Sequence, residues 1–233
     1  MSNIQPVPGV WQLTRLSDFS CHLVEGQDDC TLIDTNVSGS APAILRLAEK
    51  IKKPIKRILI THAHMDHVGS LDAVVAALPQ VEIYATQRTS EFMAGDRSVK
   101  PEDNVEKLRG GFVTTKTRPT HLVKDGDEVA GFRVMATPGH VAGHVSYFNT
   151  ATRHLFSGDA LISVGGTLHV TGVWRLRFPF PYFSTNNKQQ ALASAQRLLT
   201  LQPSWILPVH GPAIANGEQA LNSAIKEAQN AFA

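Results

Sequence analysis

The sequence predicts an α/β fold, and three observations support this prediction. In the first third of the chain, short apolar runs alternate with polar turns, which is typical of antiparallel strands. The middle alternates apolar strand-like runs with segments of helical periodicity, as in layered α/β proteins. Two amphipathic segments complete the chain. We expect one domain over residues 1–233, because large layered folds reach about 200–250 residues as one unit.

The N-terminal part is expected to form an antiparallel meander. Strands are predicted at residues 10–16, 20–25 and 30–34, with polar turns between them. A helix is predicted over residues 42–51, where apolar side chains recur close to helical spacing. The chain therefore passes from a meander into its first helix within about fifty residues.

Strand and helix alternate in the middle of the chain. A strand is predicted at residues 56–60, a helix at 68–78 and a further strand at 81–85. The polar segment 86–108 carries charges of alternating sign, so we expect a solvated insertion that is helical in part. This alternation is the main support for the α/β class.

The last part of the chain returns to strands and then to helices. Strands are expected across residues 120–156, where an Asp-Gly-Asp turn precedes an alternating apolar run. Helices are predicted over residues 188–201 and 218–232, because each segment places its apolar residues on one face. Each of these helices is expected to bury that face.

Composition excludes several classes of function. The net charge is only +2, with no basic stripe, so nucleic-acid binding is not expected. No apolar run approaches the ~18–20 residues of a membrane span, and the N-terminus lacks a secretory signal, so we expect a soluble cytoplasmic protein. Cys21 and Cys30 are expected to be buried reduced thiols.

A cluster of metal-capable side chains follows the strand predicted at 56–60. His62, His64, Asp66 and His67 form the pattern H-x-H-x-D-H. Neutral imidazole and carboxylate are ligands that divalent zinc, iron and manganese accept. A loop at a strand end can aim several side chains at one point, so the cluster predicts a metal site.

Three further segments each place a metal-capable residue in a turn after an apolar run. His140 follows Pro138-Gly139, Asp159 follows Gly158, and His210 precedes Gly211. Each segment alone is a weak indication, because histidines in such turns are common. In this order along one chain, the four segments together are a strong one.

With these motifs, the chain from about Val10 to Gly211 resembles the metallo-β-lactamase superfamily. The resemblance implies a four-layer αββα sandwich, with mixed sheets flanked by helices. The segment around Asp34 is also similar to the strand-end aspartate segment of the family. The family usually continues there with Gly, and this chain has Asn36; both residues tolerate positive φ, so we expect the turn to be kept.

The resemblance also implies two divalent metal ions, with zinc expected and iron or manganese as alternatives. The residues of the first ion are His62, His64 and His140; those of the second are Asp66, His67 and His210; Asp159 bridges both. A metal-bound hydroxide, oriented by Asp66 as the catalytic residue, would attack an acyl carbonyl. His144, in a pattern common in glyoxalase II-like members, either hydrogen-bonds near the site or only packs. Asp34 is either a turn residue, which we favour, or a support for the site.

An aromatic segment at residues 161–184 follows the bridging aspartate directly. It is expected to line the pocket of an acyl substrate, or else to pack against the sheets or a second subunit in a homodimer. The candidate pocket residues are Trp174, Phe178, Phe180, Tyr182 and Phe183.

The leading hypothesis is a glyoxalase II-like hydrolase that cleaves the ester, thioester or lactone bond of a small-molecule acyl substrate. Leu168 and Val170 stand where glyoxalase II carries its glutathione-binding Lys/Tyr pair, so glutathione recognition is not expected. An N-acyl homoserine lactonase-type quorum quencher is one alternative, but its usual tyrosine after the bridging aspartate is absent unless Tyr182 supplies it. A persulfide dioxygenase-like oxidoreductase with one iron is the second alternative, and a non-catalytic metal-binding module the third.

Overall fold

Seven strands of the N-terminal part pair into one mixed sheet in the computed structural model, which describes all residues from Met1 to Ala233. The strands are β1 (Ser2–Val7), β2 (Val10–Arg15), β3 (Phe19–Glu25), β4 (Cys30–Ile33), β5 (Ile55–Leu59), β6 (Glu82–Thr86) and β7 (His121–Val123). They lie in sequence order across the sheet. The pairs from β1 to β4 are antiparallel, and those from β4 to β7 are parallel.

The helices that follow these strands supply the crossovers of the parallel part. They are α1 (Ala41–Ile51), α2 (Met65–Val68), α3 (Leu71–Ala77) and α4 (Gln87–Ala94). The strands and helices together form one compact unit, made of Met1–Asp96 and Phe112–Val123. Parallel strands are expected to be apolar along their length, and β4 is buried at every position.

Strands of the C-terminal part form a second mixed sheet. They are β8 (Glu128–Val129), β9 (Phe132–Ala136), β10 (Val145–Asn149), β11 (His154–Gly158), β14 (Trp205–Pro208) and β15 (Ile214–Ala215). Their order in the sheet is β15-β14-β11-β10-β9-β8, and only β11 and β14 pair in parallel. A separate hairpin comprises β12 (Leu161–Val164) and β13 (Thr167–Val170).

Helices α5 (Phe180–Ser184), α6 (Lys188–Leu199) and α7 (Gly217–Ala231) belong to the same second unit, which comprises Arg97–Gly111 and Lys124–Ala233. The apolar faces of α6 and α7 are buried in a core with strand residues of this unit, including Leu155 and Ile206. A short 3-10 helix covers Pro101–Asp103. None of the helices has the length and apolar character that a bilayer crossing needs.

The structure changes or adds to the sequence prediction at three places. Strand β1 was not predicted, because most of its side chains are polar or exposed at the edge of the sheet. The helix predicted over 68–78 is shorter than expected: α3 covers Leu71–Ala77, and Val68 is the last residue of the separate short helix α2. Residues 161–184, which the sequence predicts to line a pocket or to pack against the sheets or a second subunit, contain the β12–β13 hairpin and α5. The expectation of one domain stays a prediction.

Candidate metal centre

The loop after β5 carries the H-x-H-x-D-H cluster. It follows the carboxyl end of a strand that pairs in parallel with both neighbours, the edge at which α/β sheets commonly bind ligands. His62, His64 and His67 are buried, and Asp66 is the most accessible of the four at 9%. The Nε2 atom of His62 lies 2.9 Å from Nδ1 of His64, so two potential ligand nitrogens already converge.

Asp34, directly after β4, holds this loop through hydrogen bonds. Its carboxylate accepts hydrogen bonds from the backbone N–H and the hydroxyl of Thr61, at 2.8 and 2.7 Å. Its Oδ2 atom also lies 2.8 Å from Nδ1 of His67. Asp34 has a φ of +56°, so the turn favoured from the sequence is present, and the same residue also orients a histidine of the cluster.

The neighbouring Asn36 adopts the positive-φ turn that the sequence predicts. Its φ is +61°, in the left-handed region that Asn tolerates. Its side-chain amide donates to the carbonyls of Leu13 and Phe19 at 3.1 and 2.8 Å. Asn36 therefore fixes the loop after β4 more firmly than a glycine could.

Helix α2, which carries Asp66 and His67, is fixed against the same loop. Both the backbone N–H and the hydroxyl of Thr35 donate to the carbonyl of His67, at 2.7 and 2.9 Å. A Cβ atom at Gly69 would lie 2.3 Å from the carbonyl oxygen of Met65 and 2.6 Å from the nitrogen of Ser38. The close approach of two backbone segments therefore requires glycine and ends the helix there.

His140 lies in the loop between β9 and β10 and is held by residues distant in sequence. Its Nδ1 atom lies 3.2 Å from the hydroxyl of Thr171 and 3.4 Å from that of Thr185. The backbone N–H of Asn186 donates to the His140 carbonyl at 3.0 Å. Gly139 has a φ of +127°, and a Cβ there would lie 2.2 Å from the backbone nitrogen of Ala191. These contacts leave the Nε2 side of the imidazole for a ligand.

His144 holds the backbone of Asp159. Its Nε2 atom accepts the Asp159 N–H at 3.0 Å, so its Nδ1 atom carries the proton and donates to the hydroxyl of Thr137 at 2.8 Å. The hydroxyl of Thr137 is also hydrogen-bonded to that of Ser146, which donates to the carbonyl of Ser157 at 3.0 Å. A buried hydrogen-bond chain therefore fixes the residue expected to bridge the metals.

Asp159 lies between two histidines of its own unit. Its Oδ2 atom is 3.3 Å from Nε2 of His140 and 3.2 Å from Nε2 of His210. The backbone N–H of Ser163 donates to the His210 carbonyl at 2.9 Å, which fixes the loop after β14. The Phe178 ring packs on the His210 ring, with centroids 4.8 Å apart. One carboxylate oxygen thus serves two imidazoles, as a bridging ligand would.

The seven residues form two groups, each of which could hold one metal ion. In each group the ligand atoms all lie within 4.8 Å of one another. The groups are His62, His64, His140 with Asp159, and Asp66, His67, His210 with Asp159. Buried imidazoles and carboxylates are the donor set of zinc, iron and manganese sites, so the residues fit two divalent ions without selecting the metal.

The aromatic residues predicted to line the pocket have different surroundings. Phe178 is buried against His210, whereas Trp174, Phe180 and Phe183 are exposed. Tyr182 packs edge-on against Trp174 and Phe183. Their role in substrate binding stays a prediction.

Several residues that support the centre carry little local sequence signal. Thr171, Thr185 and Asn186 hold His140 through hydrogen bonds that span more than thirty positions, so no local pattern reveals them. The Phe112 ring packs on His64, with centroids 4.7 Å apart. A polar cluster at 184–187 after an aromatic segment is the only sequence signal that could have suggested them.

Cys21 and Cys30 are free and buried, as expected from the sequence. Burial, together with the charge of Asp34, raises the pKa of the Cys21 thiol well above its usual range. Burial and the nearby Glu25 raise the pKa of Cys30 to about 11. Both shifts disfavour the thiolate, which is the form of cysteine that acts as a nucleophile.

Comparison with known proteins agrees with the fold and the donor set. The model of the metallo-beta-lactamase superfamily matches residues 19–210. The chain is 35% identical over 224 residues to the uncharacterized protein YobT of Bacillus subtilis (strain 168), covering 94% of this chain and 96% of YobT. It is 30% identical to the hydroxyacylglutathione hydrolase of Actinobacillus pleuropneumoniae serotype 5b (strain L20), covering 76% of this chain and 62% of that protein.

Among solved structures, the chain is similar to TTHA1623 in a di-iron-bound form. The TM-score is 0.66 at 26% sequence identity, covering 93% of this chain and 97% of that chain. The expected α/β class, with mixed sheets flanked by helices, is thereby confirmed. Together with the family match across residues 19–210, these findings show that the chain belongs to the metallo-beta-lactamase superfamily.

Proposed function

We propose that this protein is a hydrolase with two divalent metal ions, zinc being the expected metal, that cleaves the ester, thioester or lactone bond of a small-molecule acyl substrate. The observation that carries the proposal is the position of Asp159. Its Oδ2 atom lies 3.3 Å from His140 and 3.2 Å from His210, and it belongs to both groups of potential ligands. A carboxylate shared by two groups of histidines is suited to holding two metal ions close together, as two-metal hydrolytic centres do.

Two divalent ions in such a centre lower the pKa of a bound water towards about 7 and polarise the bond to be cleaved. The protein's own residues orient the reactants. Asp66 is the most accessible of the seven ligand residues, so its carboxylate can accept the proton that the attacking water loses. Within the first unit Asp34 orients His67, and within the second unit His144 holds the backbone of Asp159.

The relatives support an acyl bond as the one that is cleaved. Hydroxyacylglutathione hydrolase hydrolyses an acylated glutathione, as its name says, and this chain is 30% identical to it. The chain spans only 62% of that protein, so its substrate is not carried over. YobT is uncharacterized, so the nearly full-length similarity to it gives no information about the substrate.

The test is hydrolysis by the metal-loaded protein of a panel of esters, thioesters and lactones, before and after chelation. We expect turnover of at least one class, loss of turnover on chelation, and recovery on adding zinc. His64→Ala should lower kcat/KM by about a thousandfold or more, because a metal ligand is lost. His121→Ala is the matched control, since His121 is exposed on β7 and stacks on Tyr84. Unchanged turnover in His64→Ala would place the site elsewhere.

The same purified protein separates the oxidoreductase alternative from the hydrolase. A persulfide dioxygenase-like enzyme would contain one iron and consume oxygen in the presence of a persulfide. Because the similar protein TTHA1623 has a di-iron-bound form, iron content is measured together with oxygen uptake. Oxygen uptake without hydrolysis of any panel member would therefore replace the hydrolase proposal.

A further inference from the structure

A half-buried ionic cluster outside the metal centre joins three parts of the C-terminal unit. Arg175 forms an ion pair with Glu227 on α7. The Nδ1 atom of His169, on β13, lies 2.6 Å from Oε2 of Glu227 and 2.9 Å from Nη2 of Arg175. Burial, together with the charge of Arg175, lowers the pKa of His169 to about 4. At neutral pH the cluster is therefore one ion pair beside a neutral histidine.

Arg175 also determines the course of the aromatic segment. Its guanidinium donates to the carbonyl of Trp174 at 2.9 Å, and its own carbonyl accepts the N–H of Phe178 at 3.1 Å. These bonds close the turn that delivers the Phe178 ring to His210, 4.8 Å away between centroids. Glu227 on α7 is thus connected to His210, a predicted metal ligand, through the turn from Arg175 to Phe178.

The segment around Phe178 exposes apolar side chains, and the part from Phe178 to Phe180 is called the strip below. Phe178 is 6% exposed and contacts the ring of Phe180, which is 65% exposed. Trp174, Leu176 and Phe183 add exposed apolar surface within the same ten residues. Exposed apolar clusters of this kind mark binding surfaces. Because this strip begins at a side chain packed on His210, its natural occupant is the apolar part of the molecule that reacts there.

We propose that the ion pair between Arg175 and Glu227 is a positioning device that holds Phe178 against His210, and that the strip from Phe178 to Phe180 binds an extended apolar acyl chain of the substrate. The inference rests on the proposed acyl hydrolysis and specifies its substrate class. Short acyl groups would leave the strip exposed. Long alkyl or aryl acyl groups would cover it, so each added methylene should improve binding about threefold or more.

The test measures binding, so it does not depend on turnover. Straight-chain carboxylates from butyrate to decanoate are titrated into the metal-loaded protein and followed by calorimetry. In the wild type, affinity should rise about threefold per methylene over the first few added carbons. Glu227→Gln should lower the affinity for decanoate at least tenfold and that for butyrate little. Glu218→Gln is the matched control on the exposed side of α7 and should behave as the wild type.

A charge exchange distinguishes positioning from simple loss of stability. The double variant Arg175→Glu with Glu227→Arg restores an ion pair. In this variant the affinity for carboxylates should again increase with chain length, in part, whereas in Glu227→Gln that increase is lost. Metal content should be equal in all variants. Affinity that does not depend on chain length in the wild type, or an unchanged profile in Glu227→Gln, would overturn the inference.

The alternative occupant, a second copy of the chain, gives a different result. If the protein self-associates, and Phe180→Ser separates the copies without weakening decanoate binding, the strip is a subunit contact and the inference is wrong. The two proposals also fail separately. Chain-length-dependent binding without hydrolysis would refute only the hydrolase, whereas hydrolysis with chain-length-independent binding would refute only the role of the strip.

Discussion

The carboxylate of Asp34 lies 2.8 Å from Nδ1 of His67, and both side chains are buried. Because an ionised carboxylate only accepts hydrogen bonds, Nδ1 of His67 carries the proton and Nε2 presents its lone pair. Oδ2 of Asp66 lies 3.6 Å from that Nε2 atom. Asp34 therefore sets the tautomer of His67, a predicted metal ligand, without itself belonging to either group of potential ligands.

Asp34→Asn should weaken metal binding about 10–100-fold, because an amide cannot accept the bonds of His67 and Thr61 together. Asn tolerates the positive φ of position 34, so the backbone should keep its course. Competition with a chromophoric chelator measures the affinity. Equal affinity in variant and wild type would show that Asp34 is only a turn residue.

His144→Leu should lower kcat/KM about 10–100-fold, because the N–H of Asp159 loses its partner and the hydroxyl of Thr137 keeps only Ser146. His144→Gln should recover part of this loss, since its side-chain oxygen can accept the Asp159 N–H. Thermal unfolding of both variants separates the loss of orientation from global instability. Full activity in the leucine variant would make His144 a packing residue.

The candidate metal ligands could be selected from the sequence, because each follows soon after a strand and its residue type is chemically specific; that they bind metal stays a prediction. The Asn36 turn was also predictable, since few residues adopt positive φ. The break at Gly69 was not, because it comes from contact with the distant Ser38 backbone. The same holds for Thr171 and Thr185, which reach His140 only through the tertiary fold.

Gly211→Ala should destabilise the fold much more than Gly131→Ala. Both glycines have similar φ values, +86° and +83°, so both variants carry the same strain of about 1–2 kcal/mol. A Cβ at Gly211 would also lie 1.9 Å from the carbonyl oxygen of Ser163, whereas nothing lies within 4 Å at Gly131. We expect a further loss of about 2 kcal/mol or more for Gly211→Ala in urea unfolding. Equal midpoints would refute this close approach.

His22 should make the protein acid-sensitive. Burial lowers the pKa of His22 from its ordinary 6.5 to about 3, so between these values the unfolded chain binds a proton that the folded chain does not. The stability due to neutral His22 is complete above pH 6.5 and falls by up to about 1.4 kcal/mol per pH unit below it.

His22→Leu should remove this part of the pH dependence. The measurement is urea unfolding of both proteins between pH 4 and pH 7, and the difference between them isolates His22 from acid-driven metal loss. The unfolding free energy of His22→Leu, measured relative to that of the wild type, should increase steadily as the pH falls. A gap that stays constant across this range would contradict the prediction.

The central claim is that Asp159 is shared by two metal ions, and counting ions tests it most directly. Metal-free protein is titrated with zinc, and native mass spectrometry records the number bound per chain. We predict two ions per chain in the wild type and at most one in Asp159→Ala, because both groups lose their common carboxylate. A wild type that saturates at one ion, or an Asp159→Ala variant that still binds two, would contradict the account.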